Sequence, residues 1–331
     1  LLIFTPELYF MFTIKQPSKI ILGRYSASET DFPNNCLLIT SKGAHKRGWI
    51  EYINLENYSV FDQVENNPSI ETAEKIISEF SGHNISTIIG MGGGSVLDIA
   101  KYCGYKMNKN KILIPTTFGS GSEVTRISVL KVNNEKQSFH SDRLLADMAI
   151  IDSSFIYNTP GKILKNSFID ALAQCSEGYD SKSANVYTRF LCEKAFYYLE
   201  KGIENNEYEN IVMGSLLSGL GFGNCSTTLG HALSYVFSNE GVSHGHALAF
   251  TTTLSHRFNK SIFFSRFQKL VKKLNFEKIQ LKLNVEEASE LILKDKKHLD
   301  NNPRLVTKKD IILLLNIIKS GKSLDILDTF S

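Results

Sequence analysis

The sequence predicts an α/β domain with a parallel, Rossmann-like sheet, followed by an all-α domain. Three observations carry this prediction. Short apolar runs alternate with helical patterns in the first half, a glycine-rich turn joins one such run to a helix, and from about Asn158 apolar residues recur at helical spacing with almost no strand pattern. We therefore assign residues 11–157 to the α/β domain and residues 158–331 to the helical domain.

Short apolar runs predict the strands of the first domain. They are residues 19–22, 36–40, 60–61, 87–90 and 111–114. Helices are predicted at about 69–81 and from residue 95 to 103, and the runs at 127–131 and 149–151 are expected to close the domain. This alternation favours parallel strands that are connected by helices.

The second domain is predicted from helical periodicity alone. Residues 185–201, 208–220 and 287–294 carry apolar residues at helical spacing. The segment from Thr307 to Asp310 is typical of a helix start before the apolar run IILLLNII.

Composition is that of a soluble globular protein of about two domains. The 331 residues are 42% hydrophobic and 21% charged, with a formal net charge of +3. This charge is mild and no lysine or arginine run is present, so nucleic acid is not an expected partner. The five cysteines lack a CxxC spacing, which indicates reduced thiols and a cytoplasmic protein.

The N-terminal stretch LLIFTPELYFMF is apolar but predicts neither a membrane span nor a signal peptide. It has no basic region, contains Pro6 and Glu7, and is too short to cross a bilayer. We expect no membrane association. Met11 is a plausible start because MFTIKQPSKIILG is typical of a first strand, and residues 1–10 would then be a mis-assigned start or a flexible extension.

The run GMGGGS joins an apolar strand to a helix. Backbone N–H groups in this context converge on a phosphate at the helix N-terminus. Gly92, Gly93 and Gly94 allow close approach of an anion, and Ser95 adds a hydroxyl. The alternative is a tight turn without ligand, since the spacing is not GxGxxG. Asp98 and Lys101 alone would be read as a solvated i,i+3 pair.

A second polar loop, PTTFGSGSEVT, also follows a strand end. Ligands of open α/β sheets bind beyond the carboxyl ends of strands. Two small-residue loops at neighbouring strand ends therefore predict one long ligand that lies across both.

Three residues of the second half suggest a metal site. Asp170 lies on a predicted helix with Gln174 one turn later, and His231 and His244 stand thirteen residues apart. A carboxylate and two neutral imidazoles suit a divalent first-row metal and leave positions open for substrate. The alternative is that the histidines are hydrogen-bonded in the core.

Together these stretches resemble the iron-containing (group III) alcohol dehydrogenase family, which is related to glycerol dehydrogenase and dehydroquinate synthase. GGGSVLDIAK and PTTFGSGSEVT match its cofactor loops, and IDALAQ with HALSY and HGHA match its metal segments. The resemblance covers about residues 11–249 and, coarsely, NNPRLVTKKD. It implies a dehydroquinate-synthase-like fold and a homodimer or higher homo-oligomer. HALSY followed by HGHA most resembles the branch that reduces phosphonoacetaldehyde.

The resemblance implies Asp170, His231 and His244 as metal ligands. Gln174 stands where the family usually has a histidine, and an amide oxygen is a weaker ligand, so both Fe²⁺ and Zn²⁺ remain open. Tyr235 stands where many relatives carry a histidine, and it either donates a proton or walls the substrate pocket. His246 is a second proton donor to consider.

The resemblance also implies a set of cofactor-binding residues. They are Ser41, Lys42, Gly92, Gly93, Gly94, Ser95, Asp98, Thr116, Thr117, Ser120 and Lys136. Many NAD-using relatives have an aspartate at position 41, so Ser41, with Lys42, Lys46 and Arg47 nearby, favours NADP over the alternative NAD.

The implied reaction is reversible reduction of a small aldehyde to a primary alcohol by NAD(P)H, with the metal as Lewis acid. The subfamily resemblance favours an anionic aldehyde of the phosphonoacetaldehyde or malonic semialdehyde type. Arg126, His246 and Arg257 are candidates to bind the anion, although Arg126 fits a surface ion pair equally well. The alternatives are a dehydroquinate-synthase-like lyase or cyclase, and a catalytically inactive oligomeric relative.

Overall fold

The structure, a computed structural model, describes residues 11–133 and 135–320. The prediction for residues 1–10 lies outside the described residues. The chain divides into two compact units, one spanning Thr13–Pro160 and a second that contains the segment from Gly161 onward. Each unit has its own apolar core.

The first unit contains a six-stranded parallel sheet in the order β1-β8-β5-β4-β2-β3. The strands that the described residues of the unit form are β1 (Lys19–Leu22), β2 (Cys36–Ile39), β3 (Tyr58–Phe61), β4 (Thr87–Gly92), β5 (Asn110–Pro115), β6 (Ile127–Val132), β7 (Glu135–His140) and β8 (Met148–Ile151). All residues of β2 and β4 are buried, as expected for central strands covered on both faces. The predicted fold class is confirmed.

The α-helices among the described residues of this unit are α1 (Lys42–Lys46), α2 (Trp49–Tyr52), α3 (Ile70–Phe80) and α4 (Gly94–Met107). Ser69 caps α3 by accepting the backbone N–H of Thr72 at 3.3 Å. Asn108 ends α4 in the left-handed region at φ 52°, which asparagine tolerates.

The strand at Ile127–Val132 is present but does not join the parallel sheet. It forms an antiparallel hairpin with β7, in which Ile127 lies opposite His140. The sequence prediction missed β7 because EKQSFH is polar and mostly exposed, and so lacks the apolar run by which the other strands were identified.

The register of the central strands brings three loops to one edge of the sheet. Ile39 of β2 lies opposite Gly90 of β4, and Gly92 lies opposite Pro115 of β5. The residues that follow these strands therefore start at nearly the same level, and Thr40 fixes this edge by donating from its hydroxyl to Met91 O at 2.7 Å.

The second unit is helical. Its helices are α5 (Gly161–Asp180), α6 (Val186–Asn205), α7 (Tyr208–Phe222), α8 (Leu229–Asn239), α9 (His244–Asn259), α10 (Phe264–Leu274), α11 (Val285–Leu293), α12 (Lys296–Asn301) and α13 (Lys308–Lys319). Capping boxes start α6 at Asn185 and α13 at Thr307, the latter at the predicted helix start. Among the described residues, no helix combines the length and apolarity needed to cross a bilayer.

Candidate functional site

Asp170 on α5, His231 on α8 and His244 on α9 converge within the helical unit. One potential ligand atom from each lies within 4.8 Å of the other two. Asp170 Oδ1 is 3.7 Å from His244 Nε2 and 4.0 Å from His231 Nε2. The two rings are 5.4 Å apart between centroids. A carboxylate and two imidazoles at these separations fit a divalent first-row metal.

Glycine allows the helices to approach closely enough to form this cluster. A Cβ on Gly245, the second residue of α9, would collide with the backbone carbonyl of Asn166 on α5. The close approach sets the start of α9, and His244 is the first residue of that helix.

Glu177 contacts the cluster, and the sequence prediction missed it. It is buried, and its carboxylate accepts His231 Nδ1–H at 2.6 Å, Gly230 N–H at 2.6 Å and Thr228 N–H at 3.1 Å. Burial opposes ionisation, but the histidine and these donors outweigh it and lower the pKa of Glu177 to about 2. A carboxylate only accepts hydrogen bonds, so the ring proton of His231 lies on Nδ1 and Nε2 is left for a metal.

Gln174 lies beside the cluster as a hydrogen-bond donor. Its Nε2 donates to Asp170 Oδ1 at 2.9 Å, as its position one helical turn later predicts. In this orientation the amide orients the carboxylate, whereas a half turn of the amide would present Oε1 instead.

Tyr235 and His298 line one side of the cluster. The Tyr235 ring stacks on His244 at 6.2 Å, and His298 lies 5.8 Å from Tyr235 and 6.2 Å from His231 between ring centroids. His298 is buried, and its Nδ1 donates to the Asp295 carboxylate at 2.7 Å. The sequence prediction did not include His298, because α12 is a six-residue helix far along the chain.

His246 and Arg126 have other contacts. His246 Nε2 lies 2.5 Å from the carbonyl oxygen of Glu277, and its ring lies 5.3 Å from that of Phe276. Arg126 forms an ion pair with Asp142 at 3.1 Å, which agrees with its alternative interpretation as a surface ion pair. Neither contact involves the Asp170 cluster.

In the first unit, the glycine turn and the second polar loop lie against each other. Thr116 N–H donates to Gly92 O at 3.0 Å. A Cβ on Gly93 would lie 3.1 Å from Thr117 Oγ1, and one on Gly94 would lie 3.0 Å from Ser120 Oγ. Glycine therefore gives the loop room to reach the first turn of α4, where two hydroxyl groups and the helix N-terminus meet.

Ser41 lies at the same sheet edge, two residues beyond the end of β2, where it begins α1. Lys42 is exposed, whereas the Arg47 guanidinium lies 4.8 Å from the Trp49 ring centroid and donates to Gly43 O. Lys136 lies on the hairpin, opposite Lys131.

The interpretation of Asp98 and Lys101 as a solvated pair is wrong. Lys101 is fully buried, and its ammonium lies 3.2 Å from Asp98 Oδ1 and 2.8 Å from Ser122 O. The Asp98 carboxylate accepts the Ser122 hydroxyl at 2.6 Å and Val129 N–H at 3.1 Å. Both residues therefore bind the polar loop, a contact that helical spacing alone could not indicate.

Comparison with known families gives matches over most of the chain. A model described as iron-containing alcohol dehydrogenase matches residues 17–153, and one described as the C-terminal part of the Fe-containing alcohol dehydrogenase family matches residues 165–305. The chain is 36% identical over 225 residues to the 4-hydroxybutyrate dehydrogenase of Clostridium kluyveri, covering 59% of this chain and 61% of that protein.

Two further relatives show how varied the similar proteins are. The chain is 30% identical to the 1-propanol dehydrogenase of Salmonella typhimurium, over 62% of this chain and 60% of that protein. It thus spans about three fifths of the length of the curated relatives it matches. The structure of sulfoacetaldehyde reductase from Bifidobacterium kashiwanohense in complex with NAD⁺ superposes with a TM-score of 0.85 at 22% identity, covering 94% of this chain and 99% of that one, which shows a shared fold.

Proposed function

Because the chain belongs to the iron-containing alcohol dehydrogenase family, we propose that it is a metal-dependent, NAD(P)H-linked reductase that converts a small aldehyde to a primary alcohol. The observation that carries this proposal is the convergence of Asp170, His231 and His244. Glu177 adds to it, since metal-binding histidines commonly donate their other ring N–H to a carboxylate.

In this proposal Asp170, His231 and His244 hold a divalent metal. When bound, the metal would supply Lewis-acid chemistry at the carbonyl oxygen and the nicotinamide would supply hydride. Glu177 fixes the tautomer and orientation of the His231 ring. Tyr235 restricts the space beside the ligand atoms through its stack on His244.

The glycine turn and the loop at residues 116–120 are proposed to bind the cofactor diphosphate. The helix N-terminus favours negative charge, and the Thr117 and Ser120 hydroxyls add donors beside it. We further propose NADPH as the preferred cofactor, since Ser41 places no carboxylate at the end of β2 and exposed Lys42 follows it.

The proposed substrate is a small aldehyde with an anionic group. Support comes from the motif resemblance in HALSY and HGHA, and from the 36% identity to a protein named for 4-hydroxybutyrate, itself an anion. The relative named for 1-propanol represents the neutral alternative. Charge-assisted hydrogen bonds are typically worth about 1.5–3 kcal/mol, so an anionic aldehyde should be favoured by roughly tenfold or more.

NADPH oxidation by the metal-loaded protein tests the proposal. Phosphonoacetaldehyde, malonic semialdehyde and propanal are compared by kcat/KM, and metal is counted by mass spectrometry in the wild type and in His231→Ala and His244→Ala. We expect both variants to lose metal and activity together, whereas His83→Ala, in the first unit, should retain both. If none of the aldehydes is reduced, the proposed reductase activity is contradicted. A preference for propanal would contradict only the proposed preference for an anionic aldehyde. Full metal in both variants would contradict the ligand assignment.

A further inference from the structure

Lys101 is a fully buried residue of α4 that contacts the second polar loop. The Lys101 ammonium is 2.8 Å from Ser122 O, 3.4 Å from Thr125 Oγ1 and 3.5 Å from Thr125 O. It also donates to Ile127 O and lies 3.2 Å from Asp98 Oδ1. Three backbone carbonyls between residues 122 and 127 thus accept hydrogen bonds from one ammonium group on the helix.

These contacts matter because the end of the loop is buried but irregular. A buried backbone carbonyl needs hydrogen-bond donors, and at this loop end the Lys101 ammonium supplies them from the helix. Burial lowers the pKa of Lys101, although the Asp98 carboxylate opposes this effect. Glu123 is buried beside it, and burial raises the pKa of that carboxyl to about 7. Such a cluster is stable only while its hydrogen bonds are satisfied, so loss of the ammonium should loosen the loop first.

Asp98 makes a second connection between the same elements. Its carboxylate accepts the Ser122 hydroxyl and Val129 N–H, and its backbone carbonyl accepts the Ser128 hydroxyl at 2.9 Å. One turn of α4 therefore holds both the short helical turn Ser122–Val124 and the start of β6.

The same helix and loop form the proposed diphosphate site at their other ends. The first turn of α4 follows the glycine turn, and Thr117 and Ser120 lie against Gly93 and Gly94. A displacement of the loop end at residue 122 would therefore move the hydroxyls at the helix N-terminus, only a few residues away.

We propose that Lys101 is a positioning residue for the cofactor: it holds the loop at residues 116–125 against α4 in the conformation that binds the dinucleotide. This inference rests on the proposed function for the identity of the ligand. Without the ammonium, binding must order a looser loop, and that cost appears as weaker affinity. The effect should appear in the cofactor dissociation constant more than in the turnover of the saturated enzyme.

Binding of NADPH to the purified, metal-loaded enzyme tests this role. The dissociation constant is measured by fluorescence titration below the unfolding temperature, and Tm is measured in parallel. Lys101→Met should weaken NADPH binding at least tenfold, and Lys101→Arg should recover most of the affinity. Lys111→Met is the matched control: Lys111 is also buried and paired, 3.5 Å from Asp147, but lies near the amino end of β5, away from the glycine turn.

A milder pair of variants covers the case in which Lys101→Met does not fold. Ser122→Ala removes the hydroxyl that binds Asp98 from the loop. Thr87→Val removes a buried hydroxyl at the first residue of β4, the end of that strand away from the glycine turn. We expect Ser122→Ala to weaken binding several-fold and Thr87→Val to leave it unchanged.

Equal affinity changes in Lys101→Met and Lys111→Met, or unchanged affinity in Lys101→Met or in Ser122→Ala, would overturn the positioning role. These results leave the proposed reaction intact, since the wild type would still bind cofactor and reduce aldehydes. A wild type that binds neither NADPH nor NADH would overturn both. Loss of affinity in Lys101→Met with no aldehyde reduced by the wild type would support the positioning role and contradict the reaction alone.

Discussion

His231 Nδ1 lies 2.6 Å from the Glu177 carboxylate, and the same carboxylate accepts backbone N–H groups from the start of α8. Glu177→Gln replaces one acceptor oxygen with an NH₂ group that would face these donors. Loss of such an orienting contact typically costs about 10- to 100-fold in metal affinity. Titration with Co²⁺ should show this decrease. Glu200→Gln, which removes a carboxylate that binds Arg266 and is not part of the Asp170 cluster, should bind metal as the wild type does. Equal affinities in the two variants would contradict the role of Glu177.

Gln174→His should make the metal harder to remove. The side chain lies one turn after Asp170 and already reaches its carboxylate at 2.9 Å, so an imidazole there would add a neutral nitrogen donor to the cluster. Metal remaining after dialysis against a chelator measures the effect. Gln174→Asn, which is too short to reach the same position, should not increase metal retention, and an increase in that variant would contradict the explanation.

Ser41→Asp should shift cofactor preference from NADPH toward NADH. The new carboxylate would follow β2 at the sheet edge that carries the glycine turn, where it would repel a 2′-phosphate and accept a ribose hydroxyl. The ratio of kcat/KM for NADH over NADPH should rise by about tenfold, which corresponds to 1.4 kcal/mol. Ser41→Asn is similar in size but uncharged and should change the ratio little. A wild type that prefers NADH would contradict the argument from Ser41.

Tyr235→Phe should retain most of the activity. Burial, followed by the charges of Asp295 and Asp170, raises the pKa of Tyr235, and a raised pKa makes the phenol a poorer proton donor near neutral pH. We therefore expect kcat to fall by less than about tenfold, whereas loss of a general acid typically costs about 100-fold or more. Tyr235→Ala, which also removes the ring beside His244 and His298, should be much less active. A loss of the larger size in Tyr235→Phe would identify the tyrosine as the proton donor.

Asp180→Asn should make stability more sensitive to acid. Burial lowers the pKa of His256 to about 4 from 6.5. The neutral histidine therefore favours the folded state fully above pH 6.5, and the free energy of unfolding falls as the pH drops from 6.5 toward 4. Burial raises the pKa of Asp180 to about 6 from 3.8. This carboxyl therefore raises the free energy of unfolding as the pH falls from 6 toward 3.8, which is the opposite of the histidine effect. The two side chains lie 3.7 Å apart, and their effects largely offset each other.

With Asp180 replaced by asparagine, the histidine contribution of roughly 3 kcal/mol is no longer offset. Urea unfolding at pH 7 and pH 4.5 should show a larger loss of stability in Asp180→Asn than in the wild type. The double variant Asp180→Asn with His256→Gln should lose this extra dependence. An identical pH dependence in the wild type and Asp180→Asn would contradict the assignment.

Local patterns predicted the sheet and the shared face of Asp170 and Gln174, whereas the grouping of Asp170 with His231 and His244 was predicted from the family resemblance. Apolar runs identified all six strands of the parallel sheet, and the spacing from Asp170 to Gln174 placed both side chains on one helical face. Glu177 was within reach of the same reasoning. It follows Asp170 by two helical turns, and its glutamate side chain is buried on that helix.

Lys101 and His298 were beyond such reasoning, for a physical reason. The burial of Lys101 depends on carbonyls more than twenty residues later, and an irregular loop leaves no periodic pattern in the sequence. His298 reaches the cluster through a six-residue helix whose position is determined by tertiary packing. The hairpin partner β7 was missed because Phe139 is the one apolar residue among its six, too few for a recognisable apolar run.

The shared register of β2, β4 and β5 has a consequence for protein engineering. Since Ile39, Gly90 and Leu113 lie in one row across the sheet, the loops that follow these strands leave the sheet at the same edge. If these loops bind the cofactor as proposed, each should be exchangeable for the corresponding loop of a relative, with junctions placed inside the strands. An inserted or deleted residue within a strand would instead turn every later side chain of that strand to the opposite face, and it would misalign one loop with the other two.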